Sequence, residues 1–195
     1  MDQVYSISIL VLAAALSLPF LSLIRSKKAR IIIGLIILAV YIYGNLNETI
    51  LGRRVYSKPQ IKAELFWSYR ASLKIVDGSL RIERAKLLIE IILNILLYVP
   101  VGYILPFLIP SVFCPMAKGT HHHWVGLLRV MAVGLLCSAA TEISQYYFRI
   151  GLFEFDDIFN NTLGAGMGFI LYRVVMRMLP LNRSKDDIKT PPDGA

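Results

Sequence analysis

Three of the most apolar stretches in this sequence are interrupted by polar residues spaced three, four or seven positions apart. These residues are Glu90 and Asn94 in the first stretch, Glu142, Gln145 and Arg149 in the second, and Asp157 and Asn161 in the third, which begins with Asp156 directly before Asp157. Such spacing places the polar residues of each stretch on one face of a helix. Carboxyl and amide groups arranged in this way could hydrogen-bond between helices, bind a cationic group, or hold a phosphate through a bridging metal ion.

The composition places these stretches in a membrane. Of the 195 residues, 56% are hydrophobic and 17% are charged, and the mean hydropathy is +0.59. Soluble domains average about 45 to 50% apolar and about 25% charged residues, so a two-domain soluble enzyme and a disordered chain are both excluded. The net charge of +8 indicates attraction to anionic headgroups and no nucleic acid partner. Cys114 and Cys137 form neither a disulfide framework nor a zinc motif.

Five apolar stretches are candidates for membrane crossing, for which about 17 to 25 residues are needed. They cover residues 4–24, 31–46, 87–110, 124–148 and 158–178. The sequence therefore predicts an all-α polytopic membrane protein with about five transmembrane helices. Its regions are two N-terminal helices in residues 1–47, a basic segment in residues 48–86, a three-helix core in residues 87–180 and a disordered polar tail in residues 181–195. Gly164 and Gly168 form a small-xxx-small pair that we expect to pack against a neighbouring helix.

The basic segment 48–86 has the pattern of a helix that lies in the membrane interface. From Ile61 to Leu80, apolar residues recur at helical spacing and cations lie beside them. This pattern predicts one interfacial amphipathic helix, and the alternative is a basic loop that packs on the other helices. We expect Arg53 and Arg54 to contact anionic headgroups.

The order of the helices predicts that the three polar stripes lie at one membrane face. Glu90 is expected in the first turn of the third helix, which starts on the side where the fourth helix ends and the fifth starts. The basic segment lies on that side too. Four cations follow the first helix, at Arg25, Lys27, Lys28 and Arg30, and they favour a cytoplasmic position for that loop. We therefore predict a multi-pass plasma membrane protein with its N-terminus outside, its C-terminus in the cytoplasm and the polar stripes on the outer side.

Two interpretations of the stripes remain open. In the first, they form a polar clasp in which Glu90, Glu142 and Arg149 hydrogen-bond across helices, while Asp156 and Asp157 favour a helix N-terminus through its dipole. In the second, they form a functional site, because the carboxyl groups outnumber the single arginine that could neutralise them. Asp156, Asp157 and Glu142 could then hold a divalent cation such as Mg²⁺ or Ca²⁺, but no spacing matches a metal motif and no metal is assigned.

The same residues carry a family resemblance. In the runs EIILNILLYVPVG (90–102), EISQ (142–145) and DDIFNNTLGAGMG (156–168), the sequence resembles the VanZ-like family of bacterial membrane proteins. The matching positions are Glu90, Asn94, Pro100, Gly102, Glu142, Gln145, Asp156, Asp157, Asn161 and Gly164. What the resemblance implies is a link to resistance against teicoplanin, a lipid-bearing glycopeptide, on a fold with no established catalytic activity.

Three functions of different classes are compatible with these features. The preferred one is a module that binds or moves an amphiphile at the outer leaflet, with membrane lipids or a lipid-linked amphiphile as partners. The second is a non-catalytic scaffold whose partner is another membrane protein. The third is a metal-dependent enzyme that acts on a lipid-linked phosphate, with Glu90 as a base. An enzyme is the least favoured of the three.

Overall fold

The computed structural model describes residues 17–24, 26–51, 55–73, 80–114 and 121–178. The predicted headgroup contacts Arg53 and Arg54 lie outside the described residues, as do most of the first predicted helix and the predicted polar tail. Within the described residues the fold is almost entirely helical, which confirms the all-α prediction. The described elements are α1 (17–21), α2 (Lys27–Leu46), a π-helical turn (Asn47–Leu51), β1 (Gln60–Lys62), α3 (Trp67–Leu73), α4 (Leu80–Leu108), α5 (Pro110–Phe113), α6 (His121–Phe148), β2 (Leu152–Glu154) and α7 (Phe155–Met178).

Three helical segments in the described part of the chain are long and apolar enough to cross a membrane. They are Lys28–Leu51, Arg84–Leu108 and His123–Phe148. Helix α7 has a similar length, 24 residues, but its asparagines and Arg173 make it less apolar, and it packs against both α4 and α6. The outward faces of α2 and α6 carry large apolar side chains such as Ile36 and Leu136, which are 57% and 69% exposed. Such faces suit contact with lipid tails.

Glycines allow α4 and α7 to pack with their backbones in contact. A Cβ atom on Gly164 would overlap the carbonyl oxygen of Ile95, and one on Gly168 would overlap that of Val99. Gly102 on α4 approaches the backbone of α7 in the same way. Small residues permit this close approach between membrane helices. The contact fixes the position of the first turns of α7, where the acidic residues lie.

The segment before α4 differs from the predicted interfacial helix. Gln60–Lys62 form β1, which pairs in parallel with β2 so that Lys62 lies opposite Glu154. Within the described residues, the helix in this segment, α3, covers Trp67–Leu73, and Phe66 precedes it with a φ of 62°. The prediction of a helix from Ile61 was therefore wrong at its start. The reason is that β2 supplies backbone hydrogen-bond partners from a distant part of the chain, which a local pattern cannot reveal.

The end of α6 changes the position predicted for Arg149. The helix ends at Phe148, and Arg149 has a φ of 57°. The Ile150 N–H donates to the Gln145 carbonyl at 3.0 Å, and the Arg149 N–H donates to the Tyr146 carbonyl at 3.2 Å. These two bonds around a left-handed residue form a Schellman motif. Arg149 therefore ends the helix and does not continue its polar stripe, contrary to the prediction.

Helix α4 begins earlier than expected. It starts at Leu80 and continues through Pro100 and Pro106, which are both buried. Glu90 consequently lies in the third turn of the helix and not in its first, so that prediction was wrong. The extra turns extend α4 toward α3, against which it packs.

Candidate functional site

The polar residues of α4, α6 and α7 meet at one end of the bundle, where α6 ends and α7 begins. Asn94 on α4 donates from Nδ2 to Oδ1 of Asp157 on α7 at 2.6 Å. One turn further along α7, Asn161 donates from Nδ2 to Oγ of Ser138 on α6 at 2.8 Å. Polar side chains therefore connect all three helices, beside the close glycine contacts of α4 and α7.

Asp156 attaches α3 to the bundle. Its side chain is buried, with 1% exposure. Oδ1 accepts a hydrogen bond from the Phe66 N–H at 2.5 Å, and Oδ2 accepts from the Ser68 N–H at 2.9 Å and from the Ser68 hydroxyl at 2.5 Å. A carboxylate that accepts from the first N–H groups of a helix acts as its N-terminal cap. Here the cap for α3 comes from α7, so Asp156 serves the fold at this end.

Glu142 and Gln145 connect α6 to the segments that cover this end, and each is 3% exposed. Glu142 accepts through Oε2 from the Glu154 N–H at 2.9 Å, which connects α6 to β2. Gln145 donates from Nε2 to the Thr49 carbonyl at 3.1 Å, which connects α6 to the π-helical turn. Both side chains thus satisfy backbone groups that would otherwise be buried without partners.

Glu154 was not among the predicted site residues, although the structure places it beside the other acidic groups. Burial is the largest cause that raises the pKa of Glu154, followed by the negative charges of Asp157 and Glu90. Lys62 lowers this pKa and Asp156 raises it further, and the resulting value is about 7. We call Glu90, Glu154 and Asp157 the acidic cluster. Because of this pKa, the cluster can gain or lose a proton near neutral pH.

The structure does not bring Arg149 into this arrangement. Its side chain is exposed, and its backbone carbonyl accepts from the Tyr56 N–H at 2.6 Å. An exposed ion pair at this end joins Arg70 to Glu64 instead. Glu90 is also exposed, on the surface of α4.

The hypothesis of a divalent cation lacks a suitable ligand set in the described part of the chain. No group of three or more His, Cys, Asp or Glu side chains there could hold a metal ion. Two of the three suggested ligands, Asp156 and Glu142, accept hydrogen bonds from backbone N–H groups. These contacts favour structural roles for both carboxylates.

The sequence analysis did not identify three further polar residues at this end. The Tyr69 hydroxyl donates to Oδ1 of Asn160, which is 1% exposed, and Ser68 binds Asp156 as described above. Asn160 could have been found, because two adjacent asparagines in an apolar run are unusual. Tyr69 and Ser68 carry no such signal, since their roles depend on a contact between α3 and α7.

Aromatic rings lie on the same segments as acidic residues, in β2, directly before α3 and at the start of α7. The Phe66 ring packs edge-on against Phe159, with 5.1 Å between ring centroids, and Phe153 packs edge-on against Phe155 at 5.3 Å. Phe66, Phe155 and Phe159 remain 40%, 42% and 40% exposed. This end of the bundle therefore presents apolar rings beside carboxyl groups.

This is an integral membrane protein, with apolar helical segments and a group of polar residues at one end of the bundle. The VanZ/LLP1 family model matches residues 29–177, from α2 almost to the end of α7, and the chain belongs to this VanZ-like family. Comparison with curated proteins and with solved structures gave no match.

Proposed function

We propose that this VanZ-like protein binds or handles an amphiphile at the cell envelope, and that it contributes in this way to resistance against teicoplanin or a related lipoglycopeptide. The acidic cluster receives the polar or cationic part of the amphiphile. The exposed phenylalanines and the lipid-facing helices accommodate its apolar part. The cluster lies on the outer side of the plasma membrane in this proposal.

The observation that carries the proposal is the grouping of Glu90, Glu154 and Asp157. Burial is the largest cause that raises the Glu154 pKa to about 7, and repulsion by the negative charges of Asp157 and Glu90 follows. Carboxyl groups whose pKa is raised by burial and by nearby negative charges are concentrated at functional sites. A bound cationic group would relieve the repulsion, so the cluster is suited to a ligand of that charge.

The aromatic rings beside the cluster support an amphiphilic ligand over a simple cation. Phe155 directly follows Glu154 in the chain, and Phe66 and Phe159 pack against each other. Exposed apolar rings next to carboxylates provide both kinds of contact that an amphiphile needs.

A non-catalytic scaffold is the second candidate, and a specific observation favours it for other residues. Asp156, Glu142 and Gln145 are all used to hold α3, β2 and the π-helical turn. Substitution of these three residues would therefore reduce the amount of folded protein. Substitutions in the acidic cluster distinguish the two hypotheses. Glu90 is exposed and Glu154 is half-buried, so we expect their substitution to affect the amount of folded protein less than substitution of the three buried residues.

The experiment compares Glu90→Gln and Glu154→Gln with the unchanged chain in cells that depend on it for teicoplanin tolerance. We measure the amount of membrane-inserted protein and the inhibitory concentration of teicoplanin in the same cultures. Both variants are expected to keep the normal amount of protein and to lose the protection. Glu64→Gln, which removes an exposed carboxylate outside the cluster, is the matched control and should keep the protection.

The proposal fails if both cluster variants protect as well as the unchanged chain. A loss of protection in proportion to a loss of inserted protein supports the scaffold instead. A glycopeptide without an acyl chain provides the second comparison, and equal protection against it would contradict an amphiphilic ligand.

A further inference from the structure

A small groove lies on the surface of the segment that contains β1 and α3. It has a volume of about 230 Å³ and is lined by Lys62, Glu64, Trp67, Arg70 and Ala71. Two of these five side chains are cationic and one is anionic. The lining therefore carries a net positive charge, in a chain whose own net charge is +8.

The charged groups of the groove are held by weak internal partners. The Lys62 ammonium lies 3.3 Å from the centre of the Trp67 ring. The Arg70 guanidinium lies 2.8 Å from the Glu64 carboxylate, and these side chains are 57% and 65% exposed. Ion pairs this exposed contribute little to stability and exchange readily with other ions. A stronger anion could therefore displace the Glu64 carboxylate from Arg70.

The Trp67 ring forms part of the wall of the groove, and the Lys62 ammonium lies over its face. Arg70 lines the same groove. Two cations around one space favour an anion with several oxygens.

The position of the groove indicates where that anion comes from. β1 pairs with β2, which lies between the end of α6 and the start of α7, so the groove lies at the ends of the apolar helices. Apolar side chains on the same segment are exposed, among them Ile61 and Leu65 at 56% and 48%. Apolar and cationic side chains combined at this level are typical of the lipid headgroup layer.

We propose that the groove binds the phosphate of an anionic phospholipid, with Lys62 and Arg70 as charged contacts and the Trp67 ring as part of the wall. Glu64 competes with the lipid for Arg70. The lining includes none of Glu90, Glu154 and Asp157, although Lys62 also lowers the pKa of Glu154.

The experiment uses the full chain in detergent with Trp124→Phe, which leaves Trp67 as the sole tryptophan, since the chain has two. We titrate it with short-chain phosphatidylglycerol, short-chain phosphatidylcholine and inorganic phosphate, and follow the Trp67 emission. Phosphatidylglycerol is expected to give a saturable change at concentrations where the other two give none. Lys62→Ala and Arg70→Gln should each weaken its binding about tenfold, the loss of one charge-assisted contact.

Two matched pairs of variants make the test specific. Lys86→Ala removes an exposed cation of α4 outside the groove, and it should leave the titration midpoint unchanged. Glu64→Gln should strengthen phosphatidylglycerol binding about threefold, because a competing carboxylate is removed. Glu90→Gln makes the same change of charge outside the groove and should have no effect.

Each contrary result would overturn the proposal in a recognisable way. An equal response to phosphatidylcholine means that the headgroup charge is not recognised, and an equal response to inorganic phosphate identifies a site for a soluble anion. An unchanged midpoint in both Lys62→Ala and Arg70→Gln excludes the groove. Glu90→Gln affects teicoplanin protection alone, so failure of this proposal and failure of the proposed function are observed in different measurements.

Discussion

The carboxylate of Asp156 accepts two hydrogen bonds from Ser68, one from its backbone N–H at 2.9 Å and one from its hydroxyl at 2.5 Å, although the residues are 88 positions apart in the sequence. This pair fixes the short helix α3 to the first turn of α7. A buried carboxylate therefore holds the segment that forms the groove, and the same turn of α7 carries Asp157 of the acidic cluster.

The first prediction concerns this attachment. Asp156→Ala removes the acceptor of the Phe66 N–H and leaves the buried N–H and hydroxyl of Ser68 without their acceptor, and we expect it to destabilise the fold by about 1 to 3 kcal/mol. Asp156→Asn keeps one acceptor oxygen and should cost less. Thermal unfolding in detergent measures both, and limited proteolysis should show faster cleavage in residues 60–73. The exposed Glu64→Ala is the control, and an equal effect from it would contradict the specific role of Asp156.

The second prediction follows from the pKa of Glu154, which is raised from 4.5 to about 7. A carboxyl group with a raised pKa in the folded state binds its proton more tightly there than in the unfolded chain. Its contribution to stability is therefore greatest at low pH and falls as the pH rises between these two values. Glu154→Gln should remove this part of the pH dependence. Unfolding temperatures at about pH 5 and about pH 8 test it, and identical pH dependences in the two proteins would contradict it.

The third prediction links Glu154 to its neighbour across the strand pair. The Lys62 ammonium lowers the pKa of Glu154, so Lys62→Met should raise it further and move the loss of stability to higher pH. Lys86→Met removes another exposed cation, on α4, and serves as control. The midpoint of the pH dependence of unfolding measures this shift. A shift to lower pH in Lys62→Met would contradict the pairing of Lys62 with Glu154.

The fourth prediction concerns the contact between α4 and α7. A methyl group at Gly168 would overlap the Val99 carbonyl, so Gly168→Ala should destabilise the protein by about 1 to 3 kcal/mol. Gly34 is also helical, but a Cβ there would lie 3.4 Å from the nearest atom of Leu108, an ordinary contact. Gly34→Ala should therefore be neutral or stabilising, by up to about 1 kcal/mol. Equal unfolding temperatures of the two variants would exclude the close approach at Gly168.

The fifth prediction tests the orientation. In a background without Cys114 and Cys137, Lys58→Cys marks the end with the acidic cluster and Ser111→Cys marks the opposite end, and both positions are exposed. If the cluster faces outward, a membrane-impermeant maleimide applied to intact cells labels position 58 and not position 111. The reverse pattern would place the cluster in the cytoplasm and would exclude the outer-leaflet proposal.

Much of this architecture can be predicted from the sequence, because apolar length and helix order are local properties. The order of the helices alone indicates that Asn94, Glu142 and Asp157 lie at the same end. The individual side-chain contacts cannot be predicted from local properties. From the sequence alone, Asp156 and Glu142 fit a role as ligands and a structural role equally well. Their tertiary contacts with α3 and β2 favour the structural role.

The residues that the sequence did not reveal share a physical reason. Glu154 lies outside the apolar stretches, so the sequence pattern does not identify it as a site residue. Its role depends on β2, which places its carboxyl group near other charges. Ser68 and Tyr69 are ordinary residues of a short amphipathic segment, and they acquire a role through α7. Arg149 was misplaced because a helical spacing rule continues past the point where a Schellman motif ends the helix.

The parallel pairing of β1 with β2 has a consequence for biosynthesis. The ribosome makes β1 and α3 long before it makes β2 and Asp156, so the partners of the earlier segment do not yet exist when α4 enters the membrane. The segment can complete its pairing and its attachment only after residues 152–156 have been made. Formation of the strand pair and docking of α3 are therefore late events in assembly, and a nascent chain that stops at Ile150 would lack both.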